Sequence, residues 1–100
     1  MATSKIGTGL IAVQIPTNKF TWDNTNKIFA CSKSDYQEAT SGLSRLVFLV
    51  VFGNPDIICW GVSRKAESTT AYIRVCGWNA GSNVSITSNN NNFVVYAIGY

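Results

Sequence analysis

The stretch Phe93-Val94-Val95-Tyr96-Ala97-Ile98-Gly99-Tyr100 decides the fold. It is rich in β-branched and aromatic residues, and the polar run Asn89–Asn92 precedes it. That composition reads as a β-strand entered from a turn. It is almost wholly apolar, and the sequence ends on it. Chain ends fray and are polar unless something ties them down. The segment is therefore expected inside a sheet, against a neighbour. A short all-β domain closing on its final residues suits the tip of a longer fibre, or an independent binding module. It suits an enzyme poorly.

Upstream, the grammar stays β. Leu43–Phe52 contains the run Leu46-Val47-Phe48-Leu49-Val50-Val51-Phe52, which shows no alternation. A strand apolar on both sides is covered on both sides, whereas strands of a two-sheet sandwich normally turn one face to water. This segment is expected to lie under a second layer or against a partner subunit. Gly53-Asn54-Pro55-Asp56 is a turn signal, and the following strand, Ile57–Ser63, is expected to pair with Leu43–Phe52 as a hairpin. Thr70–Trp78 sets Tyr72, Arg74, Cys76 and Trp78 against Ala71, Ile73, Val75 and Gly77. Residues 79–82 form a turn, and Asn83–Thr87 points Val84 and Ile86 one way. Towards the N-terminus, Gly9–Ile15 places Ile11, Val13 and Ile15 on one face, and Pro16 ends it or marks an edge. Residues 17–26 are turn-rich, with Phe20 and Trp22 as anchors, and Lys27–Ser32 is a short strand. The one helical turn is expected around Asp35–Ala39, in a polar loop closed by Gly42. Six or seven short strands, spaced about 8–14 residues apart, predict an all-β antiparallel sandwich in a single domain, 1–100.

Composition narrows the function. The chain is 46% apolar and 13% charged, against roughly 25% charged in typical domains. Neutral polar residues must cover part of the surface, or part of it is buried between subunits, where charge is depleted. The net charge of +3 is scattered, and Arg64-Lys65 is the only adjacent basic pair. Nucleic-acid binders cluster their basic residues, so no nucleic-acid partner is expected. Leu46–Phe52 is too short to span a bilayer, so no membrane insertion is expected. Residues 1–15 show no signal-peptide pattern. Cys31, Cys59 and Cys76 are an odd set in apolar surroundings. Reduced core cysteines are expected, with a Cys59–Cys76 disulfide as the alternative.

Catalysis has little to work with. There is no histidine, which removes the commonest general base and metal ligand. The five carboxylates, Asp23, Asp35, Glu38, Asp56 and Glu67, all fall in expected loops. No C-x-x-C pair is present. No catalytic residue, metal or cofactor is expected. Recognition remains. Aromatic faces, amides, hydroxyls and guanidinium groups bind sugars, and the chain is rich in all of them. The candidate ligand site is Trp78, Asn79 and Asn83, with Arg74 and Tyr72 on the strand leading there and Arg64 as a second locus. Each has a structural alternative: Trp78 as a core or interface anchor, Arg74 as a strand-surface charge or inter-subunit partner, the asparagines as turn residues.

Tyr72-Ile73-Arg74-Val75-Cys76-Gly77-Trp78-Asn79-Ala80-Gly81, Asn83-Val84-Ser85-Ile86 and Val95-Tyr96-Ala97-Ile98-Gly99-Tyr100 together resemble the C-terminal tip domains of tailed-bacteriophage tail fibres. More loosely, they resemble H-type lectin domains. The resemblance covers residues 70–100, with 43–69 following by pattern. It implies a homotrimer that attaches to a bacterial surface glycan or protein, at the fibre tip of a virion and after folding in the host cytoplasm. In the lectins a Trp-His pair belongs to the sugar site. Trp78-Asn79 stands at that position with Asn in place of His, so the implied fold carries over further than the implied ligand.

Overall fold

A computed structural model of the chain describes residues 3–5, 9–79 and 85–100; for residues 3–5, 58 and 79 the description is of backbone. The described residues form strands β1 (Thr3–Lys5), β2 (Ile11–Ile15), β3 (Phe20–Asp23), β4 (Ile28–Cys31), β5 (Leu46–Gly53), β6 (Ile57–Arg64), β7 (Ile73–Asn79) and β8 (Phe93–Gly99). A single 3-10 turn, Thr17–Lys19, precedes β3, and helix α1 (Lys33–Ala39) follows β4. The strands make two four-stranded antiparallel sheets, ordered β1-β2-β8-β5 and β3-β4-β7-β6. The chain is all-β, as its patterning predicts.

The closing segment is an interior strand. β8 pairs with β2 on one side and β5 on the other. Pairs such as Ile15↔Val95↔Val51 and Val13↔Ala97↔Leu49 share a face. That face meets Phe20, Phe29, Cys31, Ile73 and Val75 of the second sheet in one core. The last residue is tied down too. The Tyr100 carbonyl accepts from the backbone N–H groups of Ser44 and Arg45, and Tyr100 N–H donates to the Arg45 carbonyl at 2.9 Å. A Cβ on Gly99 would overlap the Arg45 backbone, so glycine permits this close approach.

The expected hairpin between Leu43–Phe52 and Ile57–Ser63 does not form. β5 and β6 lie in opposite sheets, and residues 54–56 carry the chain across as an arch. Asn54 holds the arch: its Oδ1 accepts from Asp56 N–H at 2.9 Å, its carbonyl accepts from Ile57 N–H at 3.0 Å, and its own N–H donates to the Asn92 carbonyl at 3.1 Å. A turn does form at these residues, but a turn leads out of a sheet as readily as back into it.

The segment 17–26, expected as turns, contributes a strand, β3, that forms a hairpin with the expected strand at Lys27–Ser32. β3 pairs with β4, setting Phe20 opposite Cys31 and Trp22 opposite Phe29. Asp23 closes the loop, its Oδ1 accepting from Thr25 N–H at 3.0 Å and Asn26 N–H at 3.1 Å. Lys27 takes the left-handed backbone at φ 57°. α1 forms as expected. Ser32 Oγ caps it by accepting from Asp35 N–H at 3.2 Å, and Tyr36 and Ala39 are buried in the core. Of the expected strand Asn83–Thr87, Asn83 and Val84 lie outside the described residues. Ser85 forms a single bridge to Trp78, and Ile86, fully buried, donates its N–H to the Gly77 carbonyl at 2.9 Å.

Among the described residues nothing covers β5 on both sides. Leu49 and Val51 pack on the core, but β5 is an edge strand. Phe48 stays 46% exposed and Phe52 64%. Register places Phe48, Val50 and Phe52 beside Ile98, Tyr96 and Val94 on the outer face of the first sheet. The Phe52 and Tyr96 rings meet edge-on at 6.2 Å.

The cysteines divide. Cys31 is a core residue, but Cys59 and Cys76 are exposed, contrary to the expected core placement, and all three are free thiols. Register explains why Cys59 and Cys76 do not bond. Cys59 pairs with Trp78 and Cys76 with Gly61, so the two thiols are diagonal neighbours. Diagonal Cα atoms sit about 7–8 Å apart, beyond the roughly 6.8 Å reach of a disulfide.

Candidate functional site

The outer face of the second sheet carries two of the candidates, Arg74 and Trp78. Along β7, alternation turns Ile73, Val75 and Gly77 inward and Arg74, Cys76 and Trp78 outward. On β6 the outward partners are Ser63, Gly61 and Cys59. A register shift between Ile57 and Cys59 lets Ile57 stay buried while Cys59 faces out.

Trp78 is 48% exposed. Gly77, beside it, is a point of close approach. A Cβ there would come within 2.9 Å of Ile86 Cγ2 and 3.1 Å of the Cys59 carbonyl oxygen. The missing side chain lets the segment carrying Ser85 and Ile86 settle against β7, which brings Ser85 beside the indole. A shallow concavity lies there, lined by Asn26, Lys27, Ile28, Cys76, Gly77, Trp78 and Ser85. It offers an aromatic plane, an amide, a hydroxyl and one cation. Further along the strand, Arg74 donates to Ser63 Oγ at 3.0 Å, while its sheltered Nε has no partner among the described residues.

Of the residues singled out from sequence, Trp78 and Arg74 share one strand face, but four residues of extended chain, about 13 Å, separate them, and Arg74 does not line the concavity beside the indole. Tyr72 is elsewhere. Alternation breaks at the start of β7, so Tyr72 and Ile73 are both buried. The Tyr72 ring packs on Tyr36 at 5.1 Å, and its N–H donates to the Cys31 carbonyl at 2.9 Å. It is a core residue, held there by the backbone bond that joins its loop to β4. Arg64 is exposed at the far end of β6, opposite Ile73. Five residues of extended chain, about 16 Å, separate that level from Trp78, so Arg64 stands apart. The Asn79 side chain and Asn83 lie outside the described residues. Sequence reasoning missed Asn26, Lys27 and Ser85. The Asp23-x-x-Asn26 turn was the available signal, since its side-chain bonds set where the loop points. Those bonds, first from the Asn26 side chain and then from its backbone, hold the Asp23 carboxyl below its usual range.

Among the described residues no group of three or more His, Cys, Asp or Glu side chains is arranged to hold a metal ion. No described helix is long and apolar enough to cross a membrane. Comparisons of the chain with protein-family models, with curated proteins and with solved structures find no match.

Proposed function

We propose that this chain is a non-enzymatic attachment module, the tip domain of a tailed-phage tail fibre, which binds a bacterial surface glycan or protein as a homotrimer. The carrying observation is the half-exposed indole of Trp78, set beside Asn26, Lys27 and Ser85 on a strand face that also presents Arg74. An aromatic plane ringed by short polar groups suits a sugar ring or a small surface epitope. The resemblance of residues 70–100 to fibre tips supports the setting.

Self-assembly is supported by the other sheet. Phe48, Val50 and Phe52 on β5, with Val94 and Tyr96 on β8, make an outer face without a charged side chain. Copies of the chain packed on that face would shield it from water. Three modest sites on one rigid head then gain avidity without a tight single contact.

The same apolar face favours a second reading, a purely structural trimerisation cap or virion decoration module with no ligand. Whole-cell and glycan-array binding by the wild type and by Trp78→Ala separates the two. Binding that disappears in the variant while the trimer persists supports attachment. A stable trimer that binds no cell or sugar supports the cap. Cleavage of a sugar overturns both.

A further inference from the structure

We infer that the cleft between the 3-10 turn and the start of β8 is a second ligand site, and that it takes a neutral saccharide unit. The cleft has a volume of about 440 Å³ and is lined by Thr17, Asn18, Phe20, Phe29, Asn91 and Phe93. Small-molecule sites span roughly 300–1,000 Å³. It shares no residue with the concavity beside Trp78.

Its walls are built in. The Thr17 hydroxyl donates to the Phe93 carbonyl at 2.6 Å, fixing the 3-10 turn against the first residue of β8. Phe20 meets Phe93 edge-on at 5.3 Å, and Phe29 meets it at 5.0 Å. The three rings are largely buried, so the floor is rigid and apolar. The rim is different. Asn18 and Asn91 are exposed, and neither side chain is engaged in a hydrogen bond among the described residues. Asn90, one residue earlier, is already engaged within its own turn. Its Oδ1 accepts from Thr87 N–H at 2.8 Å and from the Thr87 hydroxyl. The Asn89 and Asn92 side chains are likewise without a hydrogen bond among the described residues, so it is their place in the cleft lining that singles out Asn18 and Asn91.

The lining selects the ligand class. Among the described residues no ionisable side chain lines the cleft, so none of them compensates a charge brought out of water there. Each primary amide offers two donors and an acceptor, a match for neighbouring hydroxyls. The small part of the Phe20 and Phe29 rings that reaches the cleft gives its back an apolar surface for the C–H groups of a pyranose. This site extends the attachment reading but does not depend on Trp78.

The test is titration of the ¹⁵N-labelled full chain with methyl α-D-glucopyranoside, methyl α-D-galactopyranoside and N-acetylglucosamine, with N-acetylneuraminic acid as the charged control. At least one neutral sugar is expected to shift the Asn18 and Asn91 side-chain amide resonances. The Asn18→Ala, Asn91→Ala double variant, its backbone spectrum otherwise unchanged, should bind about tenfold more weakly. Trp78→Ala should leave the shifts of the Asn18 and Asn91 amide resonances and their titration midpoint unchanged even where cell binding is lost, which keeps this outcome separate from failure of the Trp78 site. Tighter binding of an oligosaccharide of the same unit assigns the cleft to a glycan chain, and equal affinity assigns it to the free sugar. The inference is overturned if no neutral sugar moves those resonances, if the charged control binds equally well, or if Trp78→Ala abolishes the shifts.

Discussion

The indole of Trp60 occupies the space that a side chain at residue 53 would need. A Cβ on Gly53 would overlap the ring, and Trp60 Nε1–H donates to the neighbouring Asn54 carbonyl at 3.2 Å. This contact joins the last residue of β5 to the middle of β6 across the two sheets, and the Trp60 ring continues onto Phe93 at 5.8 Å. The arch is therefore locked by packing as well as by the hydrogen bonds of Asn54.

Gly53→Ala should force the indole out of this position. Overpacking of this kind costs about 1–3 kcal/mol, to be read as a lower midpoint in urea denaturation. Gly61→Ala is the control. Its Cβ would only press the Cys76 Sγ at 3.3 Å, so a smaller loss is expected. Equal losses would mean that the Trp60 contact has no special weight.

Phe52→Lys places a charge on the most exposed ring of β5. If copies pack on that face, sedimentation should show a trimeric wild type and a folded monomeric variant, because a buried unpaired charge is costly at an interface. A monomeric wild type at micromolar concentration would remove the assembly proposal.

Trp78→Ala tests the attachment face. Aromatic hot spots contribute about 2 kcal/mol or more to binding, so cell binding should fall at least about tenfold. The residue is half exposed, so stability should change by only about 1 kcal/mol or less. A large loss of stability would instead identify Trp78 as a packing residue.

The thiols should separate by chemistry. Cys59 and Cys76 are exposed and should react with a thiol reagent at pH 8, whereas Cys31 should react only on unfolding. Burial, with the Asp35 charge adding to it, pushes the Cys31 thiol up from 9.0 to about 11. Above pH 9 the unfolded chain loses this proton while the folded chain keeps it. The stability contribution is thus complete below pH 9 and is lost as pH rises towards 11. Burial also raises Tyr36, so the decisive comparison is with Cys31→Ala, whose alkaline loss of stability should be shallower. Identical slopes would exclude Cys31 as a contributor.

Much of the fold was legible because strands announce themselves by residue type and turns by Asn, Gly and Pro. The closing strand, the two alternating segments Gly9–Ile15 and Thr70–Trp78, and the helix after Ser32 all stand near where patterning put them. The site was legible in part. Alternation correctly aligned Arg74 with Trp78, but it wrongly included Tyr72, because a loop bond from Tyr72 N–H to the Cys31 carbonyl shifts the phase at the strand's start. Asn26, Lys27 and Ser85 come to Trp78 from distant segments, and no local pattern marks such convergence.

The sequence by itself determined the β class, the central place of Phe93–Gly99 and the apolar excess of Leu46–Phe52, since these follow from side-chain type and period along the chain. Tertiary structure alone decided that β5 and β6 part into different sheets, that Phe48 and Phe52 face outward, and that Cys59 and Cys76 sit on the surface. The reason is physical: local preference sets whether a segment is extended, whereas its partners and its buried face are set by which distant surfaces close most water out.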